Sequence, residues 1–90
     1  MVFAALKIKV MPESPEEDLK KIENSISEIV ESLSAKMHAV EIEDVAFGLR
    51  ALIITLAWPE TQDLDLIEEK VAQVSGVNSV QVIDFRRTIG

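Results

Sequence analysis

The sequence predicts an α+β sandwich, with four strands in one antiparallel sheet and two helices on one of its faces. Three observations predict it. Four segments alternate or run apolar in the manner of strands. Two other segments repeat apolar residues every three or four positions, as an amphipathic helix does. The segments follow one another as βαββαβ, so each helix links two strands that lie parallel within the sheet.

The first strand is residues 2–11. Val2, Ala4, Leu6, Ile8 and Val10 point one way, and Phe3, Ala5, Lys7, Lys9 and Met11 the other. Pro12 ends it. Ser14-Pro15-Glu16-Glu17 then reads as a helix start: Ser14 as N-cap, Pro15 at the first helical position, Glu17 completing a capping box. Leu19, Ile22, Ile26, Ile29, Val30 and Leu33 form one stripe, and the helix runs to about Ser34.

Lys36 to Glu43 is the second strand, with His38, Val40 and Ile42 on one face and Met37, Ala39 and Glu41 on the other. Asp44 to Gly48 connects it to Leu49–Trp58, an almost wholly apolar strand suited to a central place in the sheet. Pro59 stops it. Thr61 or Asp63 caps a second helix whose buried stripe is Leu64, Ile67, Val71 and Val74. Gly76 suits its C-terminal end. Val77 to Phe85 is the last strand, and Arg86-Arg87 follows as a basic tail.

Two right-handed crossovers then give the spatial strand order 4-1-3-2, a ferredoxin-like sandwich. Both helices cover one face and the other stays open, with Phe3, Ala5, Lys7 and Lys9 projecting from it. No linker or low-complexity stretch divides the chain, so residues 1–90 are expected to form a single domain.

Composition excludes several classes of function. Nearly half of the residues are apolar, too many for a disordered chain. The apolar run Ala51–Trp58 is far short of the roughly 20 residues that span a bilayer. No basic region precedes the apolar N-terminus, which argues against a signal peptide. These features together imply a soluble cytoplasmic protein. The chain has no cysteine, so disulfides, thiol catalysis and cysteine-held metals are excluded. The net charge of −7 opposes nucleic-acid binding and favours a basic protein partner.

Little in the sequence supports catalysis. The one histidine, His38, has no metal-ligating neighbours and reads as a partly exposed structural residue. Glycine occurs only at 48, 76 and 90, so no P-loop or dinucleotide fingerprint exists and no cofactor is expected. Phe3 and Trp58 lie on central strands, but without the aromatic consensus of an RNA-binding sheet. No convergent acid–base or metal set is visible, which points away from an enzyme.

Two features stand apart from ordinary structure. Phe47 sits in a connection, between Ala46 and Gly48, where an aromatic wedge could be offered to a partner pocket. Gly48 supplies the backbone freedom that presents it. Arg86 and Arg87 give an acidic chain a cationic probe, with a planar fork suited to carboxylate or phosphate.

With those residues in view, the chain resembles the archaeal type of translation elongation factor 1-beta. The resemblance rests on Val10-Met11-Pro12-Glu13-Ser14-Pro15, on Ala46-Phe47-Gly48-Leu49, and on Gly76-Val77 through Val80, Val82, Asp84, Arg86 and Arg87. It covers essentially the whole chain. It implies the βαββαβ fold and a guanine-nucleotide exchange activity that speeds GDP release from elongation factor 1-alpha. It further implies that Ala46, Phe47 and Gly48 meet the GTPase, because an aromatic of the equivalent loop inserts there in the larger eukaryotic relative. Arg86 and Arg87 are the nearest counterparts of that relative's C-terminal lysine. Two departures accompany the match. Asp44-Val45 stands where the family has a proline, and the chain ends Thr88-Ile89-Gly90 rather than in lysine. Two other classes remain compatible with the residues: a small ligand-sensing module dimerising through its open sheet face, and a structural interaction subunit.

Overall fold

The structure is a computed structural model and describes residues 3–87. The expectations for Val2 and for the segment Thr88–Gly90 lie outside the described residues. Six elements follow in chain order: β1 (Phe3–Pro12), α1 (Leu19–Ser32), β2 (Lys36–Asp44), β3 (Arg50–Pro59), α2 (Asp65–Ala72) and β4 (Val77–Arg87). The sheet order is β2-β3-β1-β4, and the described ladders are all antiparallel. The sequence-predicted architecture is therefore the observed one, with β1 and β3 central.

The core lies between the sheet and the helices. Leu6, Ile8 and Val10 of β1 meet Leu52, Ile54, Leu56 and Trp58 of β3, and Ile22, Ile26 and Val30 of α1 close over them with Ile67 and Val71 of α2. Full burial of each large aliphatic side chain contributes about 1.5–3 kcal/mol. Trp58 is fully buried in this layer, and its indole N–H donates to the Gln62 carbonyl at 3.2 Å. It therefore faces the helices and not the open side of the sheet.

The register departs from simple alternation in places that matter. In β2 the pairing shifts between Met37 and Ala39, leaving His38 as an extra residue. That bulge turns Met37 onto the core side, where it and Val40 both pack against the core. The expectation that His38 shares a face with Val40, opposite Met37, is thus corrected. His38 instead borders a hollow of about 230 Å³ on the open face, beside Phe3, Ala5, Thr55 and Ala57. β4 carries two further shifts, at Lys7/Ile8 and Met11/Pro12 of its partner strand.

Both helix starts differ from expectation. Asp18 is the N-cap of α1, and its carboxylate accepts from the backbone N–H of Lys20 at 3.0 Å and of Lys21 at 3.3 Å. Ser14 is not the cap. Its carbonyl accepts from the Glu17 N–H at 3.3 Å, closing a separate turn, while the Glu13 N–H donates to the Gly76 carbonyl at 2.8 Å. These bonds hold residues 13–17 as a loop and delay the helix until the next residue able to cap it. In α2 neither expected residue is the cap; Leu64 takes that position without a side-chain bond. Asp63 still accepts from the Asp65 N–H at 3.0 Å, satisfying one of the free donors of the first turn.

Candidate functional site

Connections of the fold gather at one end of the sheet. β1 runs toward that end, α1 leaves from it, β2 and β3 turn there, and α2 returns to it before β4. The loops 13–18, 45–49 and 73–76 are therefore neighbours in space, although they are spread across the chain. They carry Glu13-Ser14-Pro15, Ala46-Phe47-Gly48-Leu49 and Gly76 of the segments on which the family resemblance rests, whereas the rest of the third segment runs along β4 away from them.

At the apex stands Phe47. The Val45 N–H donates to the Leu49 carbonyl at 2.8 Å, and the Leu49 N–H donates to the Ala46 carbonyl at 3.1 Å. These bonds close a tight turn with Phe47 and Gly48 as its central residues. Their φ angles are 58° and 79°, the pair that a type I′ turn requires. Glycine adopts that region freely, whereas a phenylalanine held there stores about 1–3 kcal/mol of backbone strain. The turn therefore holds a bulky residue in a conformation it would not choose alone. As a result the ring stands clear of the fold, 95% exposed. Ile42 and Val45, on the approach to the turn, are also exposed. The sequence reading placed the left-handed backbone at Gly48 alone, and the structure adds Phe47 itself.

The turn rests against the first loop. A Cβ placed on Gly48 would lie 3.9 Å from Pro15 Cβ, an ordinary van der Waals contact. Pro15 is thus at the base of the Phe47 turn, a relation that sequence reasoning missed. The signal was the presence of both segments in one family pattern, but only the strand order places them together.

Arg86 and Arg87 lie elsewhere. They are not a tail: β4 continues through both, with Arg86 paired to Ala5 and Arg87 to Ala4 of β1. β1 had unpaired backbone to offer at its start, and this extended β4 past Phe85. Arg86 Nε is 3.2 Å from Asp84 Oδ2, and Arg87 Nε is 3.2 Å from Glu60 Oε1. Both side chains remain 80% exposed, so these pairs are weakly held and their heads can exchange partners. Ala4 pairs with Trp58, at the end of β3 remote from the Phe47 turn. At about 3.3 Å per strand residue, roughly 25–30 Å separates the arginines from Phe47. The molecule is 40 Å long overall. The structure therefore brings Ala46, Phe47 and Gly48 together and places Arg86 and Arg87 at the opposite end.

Among the described residues no group of three or more His, Cys, Asp or Glu side chains could hold a metal ion, and no helix is long and apolar enough to cross a membrane.

Comparison with known proteins follows the same lines. The model of the EF-1 guanine nucleotide exchange domain matches residues 5–88. The chain is 41% identical over 85 residues to elongation factor 1-beta of Methanosarcina barkeri, an alignment covering 92% of this chain and 94% of that protein. It is 44% identical over 88 residues to elongation factor 1-beta of Natronomonas pharaonis, again covering 92% and 94%. Among solved structures, the ACT domain of a GTP pyrophosphokinase from Chlorobium tepidum superposes with a TM-score of 0.64 over 90% of this chain and 99% of that one. At 15% identity that likeness concerns the fold alone.

Proposed function

Because the chain belongs to the EF-1 guanine nucleotide exchange family, with a guanine-nucleotide exchange role in translation elongation, we propose that it acts on elongation factor 1-alpha and uses Phe47 to do so. The observation that carries the proposal is the strained, fully presented aromatic at the apex of the loop end. A fold tolerates such a feature when a partner uses it.

The mechanism is one of linkage. Exchange requires no bond chemistry from this chain, and we assign it none. It must bind the nucleotide-free GTPase more tightly than the GDP-bound form; reciprocity then obliges it to weaken GDP by the same factor. Tenfold coupling corresponds to about 1.4 kcal/mol. Burying a ring the size of Phe47 contributes about 1.5–3 kcal/mol, enough to supply that coupling if its pocket is open in the empty state. Because Phe47 is already held outward, little ordering entropy is lost when it docks. Ala46 and Gly48 keep the flanks of the ring small, so that the turn can follow it into a pocket.

The second contact is cationic. Arg86 and Arg87 reach carboxylates or phosphates of the GTPase from the far end, and charge placed near a phosphate-bound magnesium competes with the metal. The whole chain serves as one exchange domain in the cytoplasm, where aminoacyl-tRNA delivery takes place. The decisive measurement is release of a fluorescent GDP analogue from purified elongation factor 1-alpha, with and without this chain. Unchanged release at saturating concentration would remove the proposal.

A further inference from the structure

The β1–α1 loop has a place in the docking surface that neither the family match nor the Phe47 reading gives it. It is fastened on two sides. The Glu13 N–H donates to the Gly76 carbonyl at 2.8 Å, and Pro15 lies against Gly48. Gly76 itself has φ 93°, and a Cβ added there would stand 2.7 Å from Glu17 Oε1. Glycine at 76 thus accepts the left-handed backbone from which its carbonyl holds the Glu13 N–H, whereas the Glu17 carboxylate, at the end of a flexible side chain, could move aside. Pro15, Glu13 and Glu16 are nonetheless exposed. The result is an apolar apex, Phe47 with Pro15 at its base and Val45 beside it, bordered by carboxylates. Loops 13–18, 45–49 and 73–76 contain Glu13, Glu16, Glu17 and Asp18 and no lysine or arginine. Asp44 faces Arg50 across the start of the hairpin, so that cation has an acid opposite it.

We propose that this loop is a second contact element of the same tip, presenting Pro15 and the carboxylates of Glu13 and Glu16 to a GTPase surface that is apolar where Phe47 enters and basic around it. The inference rests on the reading that Phe47 docks on the GTPase. It assigns separate jobs to the two loops. Phe47 supplies binding energy that depends on the nucleotide state, whereas the exposed carboxylates steer encounter and set register. Rim charges act mainly on association rate and on its salt dependence. Gly76 is a positioning residue that keeps the loop in place.

The test uses the GDP-release assay at increasing concentrations of this chain, at low and at high salt. The double variant Glu13→Lys/Glu16→Lys is compared with Glu28→Lys/Glu31→Lys. The second pair makes the same charge change on exposed positions of α1 well away from the tip. The tip pair should raise the half-saturating concentration by about threefold to tenfold at low salt, leave the saturated rate unchanged, and converge on the unmodified chain at high salt. The α1 pair should change it much less. Equal effects of the two pairs would reduce the result to net charge and overturn the proposal, as would a tip pair that behaves like the unmodified chain. A normal salt response together with an unaffected Phe47→Ala variant would instead overturn the Phe47 reading. No acceleration by the unmodified chain would remove both. All variants alter exposed side chains, and equal unfolding temperatures verify their folding.

Discussion

Replacing Phe47 by alanine removes the ring and keeps the turn. The ring is 95% exposed, so almost none of its area contributes to folding, and nearly all of it is available to a partner. Its transfer into a pocket is worth about 1.5–3 kcal/mol. That corresponds to about a 10- to 150-fold change in affinity for the GTPase state that buries it. If the pocket exists only in the nucleotide-free GTPase, the loss falls on the saturated rate of GDP release. If it exists in both states, only the half-saturating concentration rises and the saturated rate stays. A concentration series with a fluorescent GDP analogue separates the two outcomes. Phe47→Gly provides an internal check. Glycine accepts φ near 58° without the steric penalty, so this variant loses exchange as alanine does. It also recovers about 1–3 kcal/mol of strain, less about 0.5–1 kcal/mol of extra chain entropy in the unfolded state. Its unfolding temperature should therefore be no lower than that of Phe47→Ala. Unchanged release by both variants would refute the role given to the ring; a glycine variant clearly less stable than alanine would refute the strain argument.

Further expectations bear on the other end and on the fold. Arg86→Glu/Arg87→Glu should slow exchange or weaken partner binding in the same assay, with little loss of stability, since exposed ion pairs contribute at most about 1 kcal/mol each. Full activity would make the two arginines bystanders. Asp18→Ala should cost about 1 kcal/mol in chemical denaturation through loss of the cap, whereas Ser14→Ala should cost much less. Equal losses would contradict the helix start described above. Ile26→Ala, at a completely buried position of α1, should cost about 2–5 kcal/mol and leave exchange by the remaining folded protein unchanged.

The architecture was legible because its main signals are periodic. Ile22, Ile26 and Val30 recur on one helical face, and Leu6, Ile8 and Val10 on one strand face; each stripe needs a partner, and the chain order leaves few ways to supply one. The departures have causes that periodicity does not carry. A bulge adds a residue without any compositional mark, so His38 could not be seen to interrupt β2. Ser14 and Asp18 are both sound N-caps, and the choice between them was made by the bond from Glu13 to the Gly76 carbonyl, a contact far away in sequence. β4 runs through Arg86 and Arg87 because Ala4 and Ala5 of β1 had backbone groups to satisfy, whatever side chains opposed them. Phe47 stood out as an aromatic in a turn. Its own left-handed backbone followed only from the hydrogen bonds that close the turn.

The separation of the two proposed contacts constrains the partner. Phe47 and the arginines sit at opposite ends of one continuous ladder, in which β3 pairs with β1 from Leu52–Val10 through Pro59–Phe3. Sliding that register by one residue would turn Leu6, Ile8 and Val10 onto the open face, so the packing that stabilises the core also fixes the distance between the ends. The two contacts cannot enter one pocket. The GTPase must present an apolar cleft and an anionic site roughly 25–30 Å apart. A rigid spacer of this kind couples the sites without moving: if the cleft and the anionic site reach that spacing only in the nucleotide-free GTPase, holding both at once disfavours GDP. Such a spacing would add to whatever state dependence the Phe47 pocket has by itself, and removing either contact would lose the added part.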